Sequence, residues 1–113
     1  MSEDAIAEIA RILEATEDAD EALTRVVARI VEEPNIAWAG VAFVEDGALA
    51  LGPSTGDPDE SVRIRIPIAF QGDLVGELVV DGAEDAAVLG RVADLIAPYV
   101  LIGWDTRGEA WEP

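Results

Sequence analysis

The sequence predicts an α+β domain: an antiparallel sheet of four or five strands, with the N- and C-terminal helices packed on one face. Three observations predict it. Helical periodicity is confined to the two ends of the chain, about residues 3–33 and 84–102. Two hairpins fill the middle. Strands and helices do not alternate, which argues against a parallel sheet of βαβ units. The 113 residues suit a single domain, able to bury a core without disulfide or metal staples. The core is expected over about 6–102, with a short tail at 103–113.

Residues 3–15 place Ile6, Ile9 and Leu13 at helical spacing behind Ser2, a capping residue. A second helix over about 19–33 presents Leu23, Val26, Val27, Ile30 and Val31. Asp18 followed three residues later by Glu21 resembles a capping box, and Pro34-Asn35 ends the helix. The run IAWAGVAFV (36–44) is apolar on both faces and reads as a central strand. Asp46-Gly47 is a two-residue hairpin signal leading into ALALG. The loop PSTGDPDE follows, and then the alternating strand SVRIRIPIA, with Val62, Ile64, Ile66 and Ile68 opposite Arg63 and Arg65.

A fourth strand runs through DLVGELVVD. A three-residue loop Phe70-Gln71-Gly72, with Gly72 left-handed, would pair Arg65 with Glu77 and Ile64 with Leu78. A two-residue turn would set Glu77 beside Ile66 and spoil both faces. The closing helix carries Leu89, Val92, Ile96 and Val100, with Pro98 expected to bend it or interrupt a hydrogen bond. The helix-facing side of the sheet is expected to hold Val41, Phe43, Leu49, Leu51, Ile64, Ile66, Leu78 and Val80. The opposite side is expected to hold Trp38, Gly40, Ala42, Ala50, Arg63, Arg65 and Glu77.

Composition removes whole classes of chemistry. There is no cysteine and no histidine, so thiolate nucleophiles, Ser-His-Asp triads and Cys or His metal sites are gone. Acids outnumber bases 24 to 7, for a net charge of −17, and every base is arginine. Such a field repels phosphate backbones and anionic membranes, so neither nucleic acid nor membrane is expected as a partner. The acids are interleaved with regular apolar periodicity, unlike a disordered acidic tail. A salt-rich host accounts for the pattern, since at about 1 M salt the Debye length is only about 3 Å. Ordinary acidic solubility in a GC-rich genome is the alternative. No apolar run approaches a membrane span, and the acidic start lacks the cationic region of a signal peptide, so a cytoplasmic location is expected.

Three places could carry a site. Ser54–Glu60 offers hydroxyls and carboxylates to a cation, but without EF-hand spacing, and reads better as a solvated connection. Arg63 and Arg65, side by side on one face, could hold a small anion or pair across the sheet with Glu77. Trp38, amid Gly40, Ala42 and Ala50, leaves room for a ligand or a protein partner, or for Trp104 and Trp111 of the tail. Trp38, Arg63, Arg65 and Glu77 are the candidate ligand- or partner-binding residues. No catalytic residue, metal ligand or cofactor is assigned.

The segments TEDADEAL (16–23) and IPIAFQGDLVGELVVDG (66–82) resemble the GAF domain family, and WAGVAFVEDGALALGPSTG resembles its free methionine-(R)-sulfoxide reductase branch. The resemblance spans about residues 6–102. It implies a GAF-like sheet and dimerisation through the terminal helices. Where the family carries a longer lid over its ligand pocket, with the cysteines of the reductase branch, this chain has only DPDESVR. The resemblance therefore implies a non-catalytic sensor or interaction module acting as a homodimer. A degenerate relative of the reductase that keeps small-molecule binding, and a purely structural dimerisation domain, are the alternatives.

Overall fold

The computed structural model describes residues 1–82 and 84–111, and side chains through residue 102. Helices α1 (Glu3–Ala15) and α2 (Ala19–Ile30) precede strands β1 (Ile36–Glu45), β2 (Ala48–Gly56), β3 (Arg63–Phe70) and β4 (Asp73–Gly82). Helix α3 (Ala86–Trp111) closes the fold. The strands form one antiparallel sheet in the order β2-β1-β4-β3, so the strand that is apolar on both faces is indeed central.

Local chemistry sets the helix starts. Ser2 Oγ accepts from the Ala5 N–H at 3.2 Å, and Asp18 Oδ1 accepts from the Asp20 N–H at 3.0 Å, each satisfying an orphan donor of the first turn. Glu21 pairs with Arg25 along the helix surface. Helix α2 stops at Ile30, earlier than its apolar stripe suggests, and two further turn bonds carry the chain to Pro34. Helix α3 runs through Pro98, which gives up one bond to the Asp94 carbonyl, and continues past Gly103. The expected tail is thus helical to Trp111: an interior glycine costs about 1 kcal/mol but does not forbid a helix. The side chains of Trp104 and Trp111, and so their packing on the sheet, lie outside the described residues.

All three helices cover one side of the sheet. Helices α2 and α3 lie directly on it, and α1 packs on both of them. Val41, Phe43, Ile68, Leu78 and Val80 meet Leu23, Val26 and Ile30 of α2 and Leu89, Val92, Ile96 and Val100 of α3, all fully buried. Ile6, Ile9 and Leu13 of α1 close this core. None of the helices among the described residues is long and apolar enough to cross a membrane.

Two expectations about register need correction. Leu49 and Leu51 do not join the core. A two-residue turn pairs odd positions with even ones, and with Asp46 and Gly47 both at positive φ the register sets Phe43 opposite Ala50 and Ala42 opposite Leu51. Ala50 therefore shares the helix-facing side with Phe43, while Leu49 and Leu51 face away and are 45% and 56% exposed.

The second hairpin also closes with two residues, Gln71 and Gly72, both at positive φ. Parity is restored by a bulge: Ala69 pairs with Leu74 but Ile68 pairs with Gly76, so Val75 is the extra residue. Beyond it Ile66 lies opposite Leu78, Arg65 opposite Val79 and Arg63 opposite Asp81. The faces come out as expected, but each partner is two residues further along β4.

Candidate functional site on the open face of the sheet

The sheet face away from the helices carries a hollow of about 330 Å³. Its floor is Trp38, Ala42 and Val79, all buried, and its walls are Leu49, Leu51, Pro58, Arg63 and Arg65. Alternation along the strands puts these residues together, since β1 contributes Trp38 and Ala42, β2 Leu49 and Leu51, β3 the arginines and β4 Val79. The Trp38 ring lies back along its own strand over Gly40, where an added Cβ would come within 2.6 Å of it.

The segment expected to be a loop is shorter than it looked. Ser54, Thr55 and Gly56 belong to β2 and pair with Gly40, Ala39 and Trp38. Residues 57–62 then form a strap. It starts with the Asp57 N–H donating to the Ala37 carbonyl at 2.9 Å and ends in a 3-10 turn over Glu60–Val62. Asp59 caps that turn by accepting from the Ser61 N–H and hydroxyl. Among the described residues no group of three or more acidic side chains is arranged to hold a metal ion.

The four sequence candidates all lie on this face. Arg65 Nη1 donates to Glu77 Oε1 at 2.7 Å, diagonally rather than directly across the ladder, with the guanidinium half exposed. Arg63 has a different and stronger partner. Its Nε and Nη2 donate to both oxygens of Asp81 at 2.7 and 2.8 Å, a bidentate fork, and Nη1 reaches Glu60 at 3.2 Å. The Arg63 guanidinium also sits 5.1 Å from the centre of the Trp38 ring, within cation–π range.

Asp81 was missed by sequence reasoning, yet it organises the site. Its side chain is fully buried, and besides Arg63 it accepts from the Asp59 N–H at 2.7 Å. The bidentate Arg63 contact holds its carboxyl below the ordinary aspartate pKa. The Asp59 N–H adds to that, and burial opposes it. The same contact raises the Arg63 pKa. The available signal was positional: Asp81 closes the V-V-D run of the 66–82 segment, four residues past Glu77 and therefore on its face.

A larger but more open hollow of about 440 Å³ lies between α1 and α3, lined by Ile6, Ala7, Ala10, Asp94 and Leu95 and bridged by an Arg91–Glu3 ion pair. It is a groove between helices with its one arginine already engaged. The sheet-face hollow has the better-built floor and the convergent polar wall expected of a binding site.

No protein-family model matches the sequence, and no curated protein matches it. The fold does have solved counterparts. The type II free methionine-R-sulfoxide reductase of Thermoplasma acidophilum aligns with a TM-score of 0.60 at 20% identity, over 73% of this chain and 91% of that one. The free methionine-R-sulfoxide reductase of Neisseria meningitidis, solved in complex with its substrate, aligns at 0.70 and 15% identity, over 94% and 95%. The GAF domain of an Acinetobacter phosphoenolpyruvate-protein phosphotransferase aligns at 0.70 and 12% identity, over 100% and 99%. Identities this low speak to architecture alone, and that architecture is GAF-like.

Proposed function

We propose that the chain is a non-catalytic GAF-like sensor or interaction module that takes a small molecule on the open face of its sheet. The observation that carries this reading is the hollow itself: a buried Trp38–Ala42–Val79 floor, an exposed leucine wall and a polar wall already balanced in charge. Arg63 is committed to Asp81, so the free-anion clamp imagined from sequence reduces to Arg65 beside Glu77. A wall of one cation and one anion beside an apolar floor favours a small neutral or zwitterionic molecule over a multiply charged anion.

The non-catalytic part rests on chemistry. With no cysteine or histidine in the chain, the titratable groups around the hollow are arginines and carboxylates already engaged with one another. No activated nucleophile stands beside them. The similarity in fold to reductases solved with bound substrate supports a second reading, in which the hollow keeps small-molecule binding from a reductase-like relative.

Titration with free methionine sulfoxide and a panel of neutral and zwitterionic metabolites, followed by amide shifts of Trp38, Ala42 and Val79, tests both readings. Binding of any panel member without turnover under thiol reductant is the expected outcome. Turnover of the sulfoxide would overturn the non-catalytic assignment. A panel that moves none of those three amides would leave the hollow as surface relief.

A further inference from the structure

The two edges of the sheet are defended very differently. Strand β3 forms one edge with Arg63 and Arg65 along it and Pro67 at its centre, a residue with no N–H to offer another strand. Strand β2 forms the other edge, and among the described residues its strand neighbour is β1 alone. From Ala48 to Gly52 it has no charge and no proline, in a chain whose net charge is −17. It also shows the exposed Leu49 and Leu51 described above.

We infer that the β2 edge is a self-association site, where a second copy of this chain adds its own β2 antiparallel across a two-fold axis at Ala50. Three features favour a second copy over a different partner. First, the segment is self-complementary about Ala50: Leu49 meets the partner's Leu51, and Ala48 meets the partner's Gly52, small against small. An isologous contact requires that kind of match.

Second, the backbone phase is right. In a two-residue hairpin the pair flanking the turn, Glu45 and Ala48, is the hydrogen-bonded one, and bonded pairs alternate along the ladder. The N–H and C=O groups of Leu49 and Leu51 therefore point outward. A two-fold at Ala50 makes both Leu49–Leu51 pairs hydrogen-bonded and leaves Ala50–Ala50 as the non-bonded pair between them. Third, two copies this acidic repel one another, and an uncharged strand is where they can approach with least Coulomb cost.

The pairing gathers the exposed leucines of both copies into one apolar cluster along the rim of the two hollows. It does not depend on any ligand occupying them. Its short length places it among small, weak interfaces, so assembly rises with protein concentration and with salt that screens the net charge.

Two measurements test it. Sedimentation in molar KCl over a concentration series should show wild type moving from monomer to dimer. Leu49→Asp/Leu51→Asp should stay monomeric with an unchanged circular dichroism spectrum. The chain has no cysteine, so Ala50→Cys supplies a single thiol. At a non-hydrogen-bonded antiparallel pair the two Cβ atoms lie about 4.5–5.5 Å apart, within reach of a disulfide after small adjustment. Mild oxidation should cross-link Ala50→Cys, while Gln71→Cys, in the turn of the other hairpin and away from the β2 edge, stays at background. A wild type that remains monomeric at millimolar concentration in molar KCl would overturn the inference. So would a dimer indifferent to the double aspartate substitution, or equal cross-linking at both cysteine positions.

Discussion

The two faces of the sheet solve the same packing problem with opposite materials. On the helix side, burial is apolar throughout: Phe43, Val41, Leu78 and Val80 lie under α2 and α3 with no exposed surface. On the other side, Trp38, Ala42 and Val79 are nearly as buried, yet their cover is a six-residue strap and two arginines. Each face also sets an aromatic ring over a glycine, Phe43 over Gly52 on the helix side and Trp38 over Gly40 on the other. The difference lies in what holds the cover in place. Helices are held by many small dispersion and hydrophobic contributions, whereas the strap is held by a few polar contacts, of which the one to Asp81 is made by a fully buried carboxylate. A face secured that way can keep a hollow beside its tryptophan, and it is vulnerable to one substitution.

Asp81→Asn should therefore have the largest effect. It removes a carboxylate that holds both the Arg63 fork and the Asp59 N–H. The expected loss is about 3 kcal/mol, the low end for breaking a buried pair, because the guanidinium can still reach water. Urea unfolding measures it. Acid should act in the same direction. A carboxyl with a depressed folded-state pKa contributes stability that is complete above its unfolded value and lost as pH falls through the folded one. Stability should thus decline below about pH 4 in wild type, and more gently in Asp81→Asn. Equal acid sensitivity in both proteins would show that the strap is not held at Asp81.

The glycines sharpen the comparison. An added Cβ at Gly52 would lie 2.0 Å from the Phe43 ring, and that ring is locked in the helix-side core. At Gly40 the Cβ would lie 2.6 Å from the far edge of the Trp38 ring and 3.1 Å from Ser54 Cβ, with the hollow alongside to receive a displaced ring. Overpacking costs roughly 1–3 kcal/mol, and Gly52→Ala should fall at the upper end and Gly40→Ala at the lower. Thermal melts of the two variants compare them directly. Gly40→Ala should in addition change the fluorescence of Trp38, and a larger loss at Gly40 would mean the open face is the more rigid of the two.

How much of this was legible in the sequence follows from the range of each interaction. Ser2 and Asp18 as caps, β1 as the central strand and Asp46-Gly47 as a tight turn are all set by chemistry within a few residues, and each could be read directly. The placement of Leu49 and Leu51 was also legible, by counting outward from that turn. Hydrophobicity pointed the wrong way, because the open face uses leucines for a rim that water still reaches. The Val75 bulge left no local mark: Val75 is an ordinary strand residue, and its extra place is decided by burial against the helix side. Asp81 was hidden for the same reason. Its ties to Arg63 and Asp59 span 18 and 22 residues, and they become readable only once the bulge has fixed the register.

The smallest effect should come from the pair that the sequence did suggest. Arg65 and Glu77 are 2.7 Å apart, but Arg65 is half exposed, and the two sit diagonally rather than opposite one another. Water screens their attraction, and holding a long side chain in one rotamer offsets part of the gain. Arg65→Ala should cost no more than about 0.5 kcal/mol in folding stability, which a urea titration beside wild type resolves as a near-coincident curve. Arg65 nonetheless provides the polar wall of the hollow that is not tied to a buried carboxylate. If that wall receives a ligand, Arg65→Ala should weaken binding while leaving stability almost untouched, and Asp81→Asn should do the reverse in proportion. A variant at Arg65 that destabilises the fold as much as Asp81→Asn would erase the distinction between an arginine that holds the strap and one left to face the hollow.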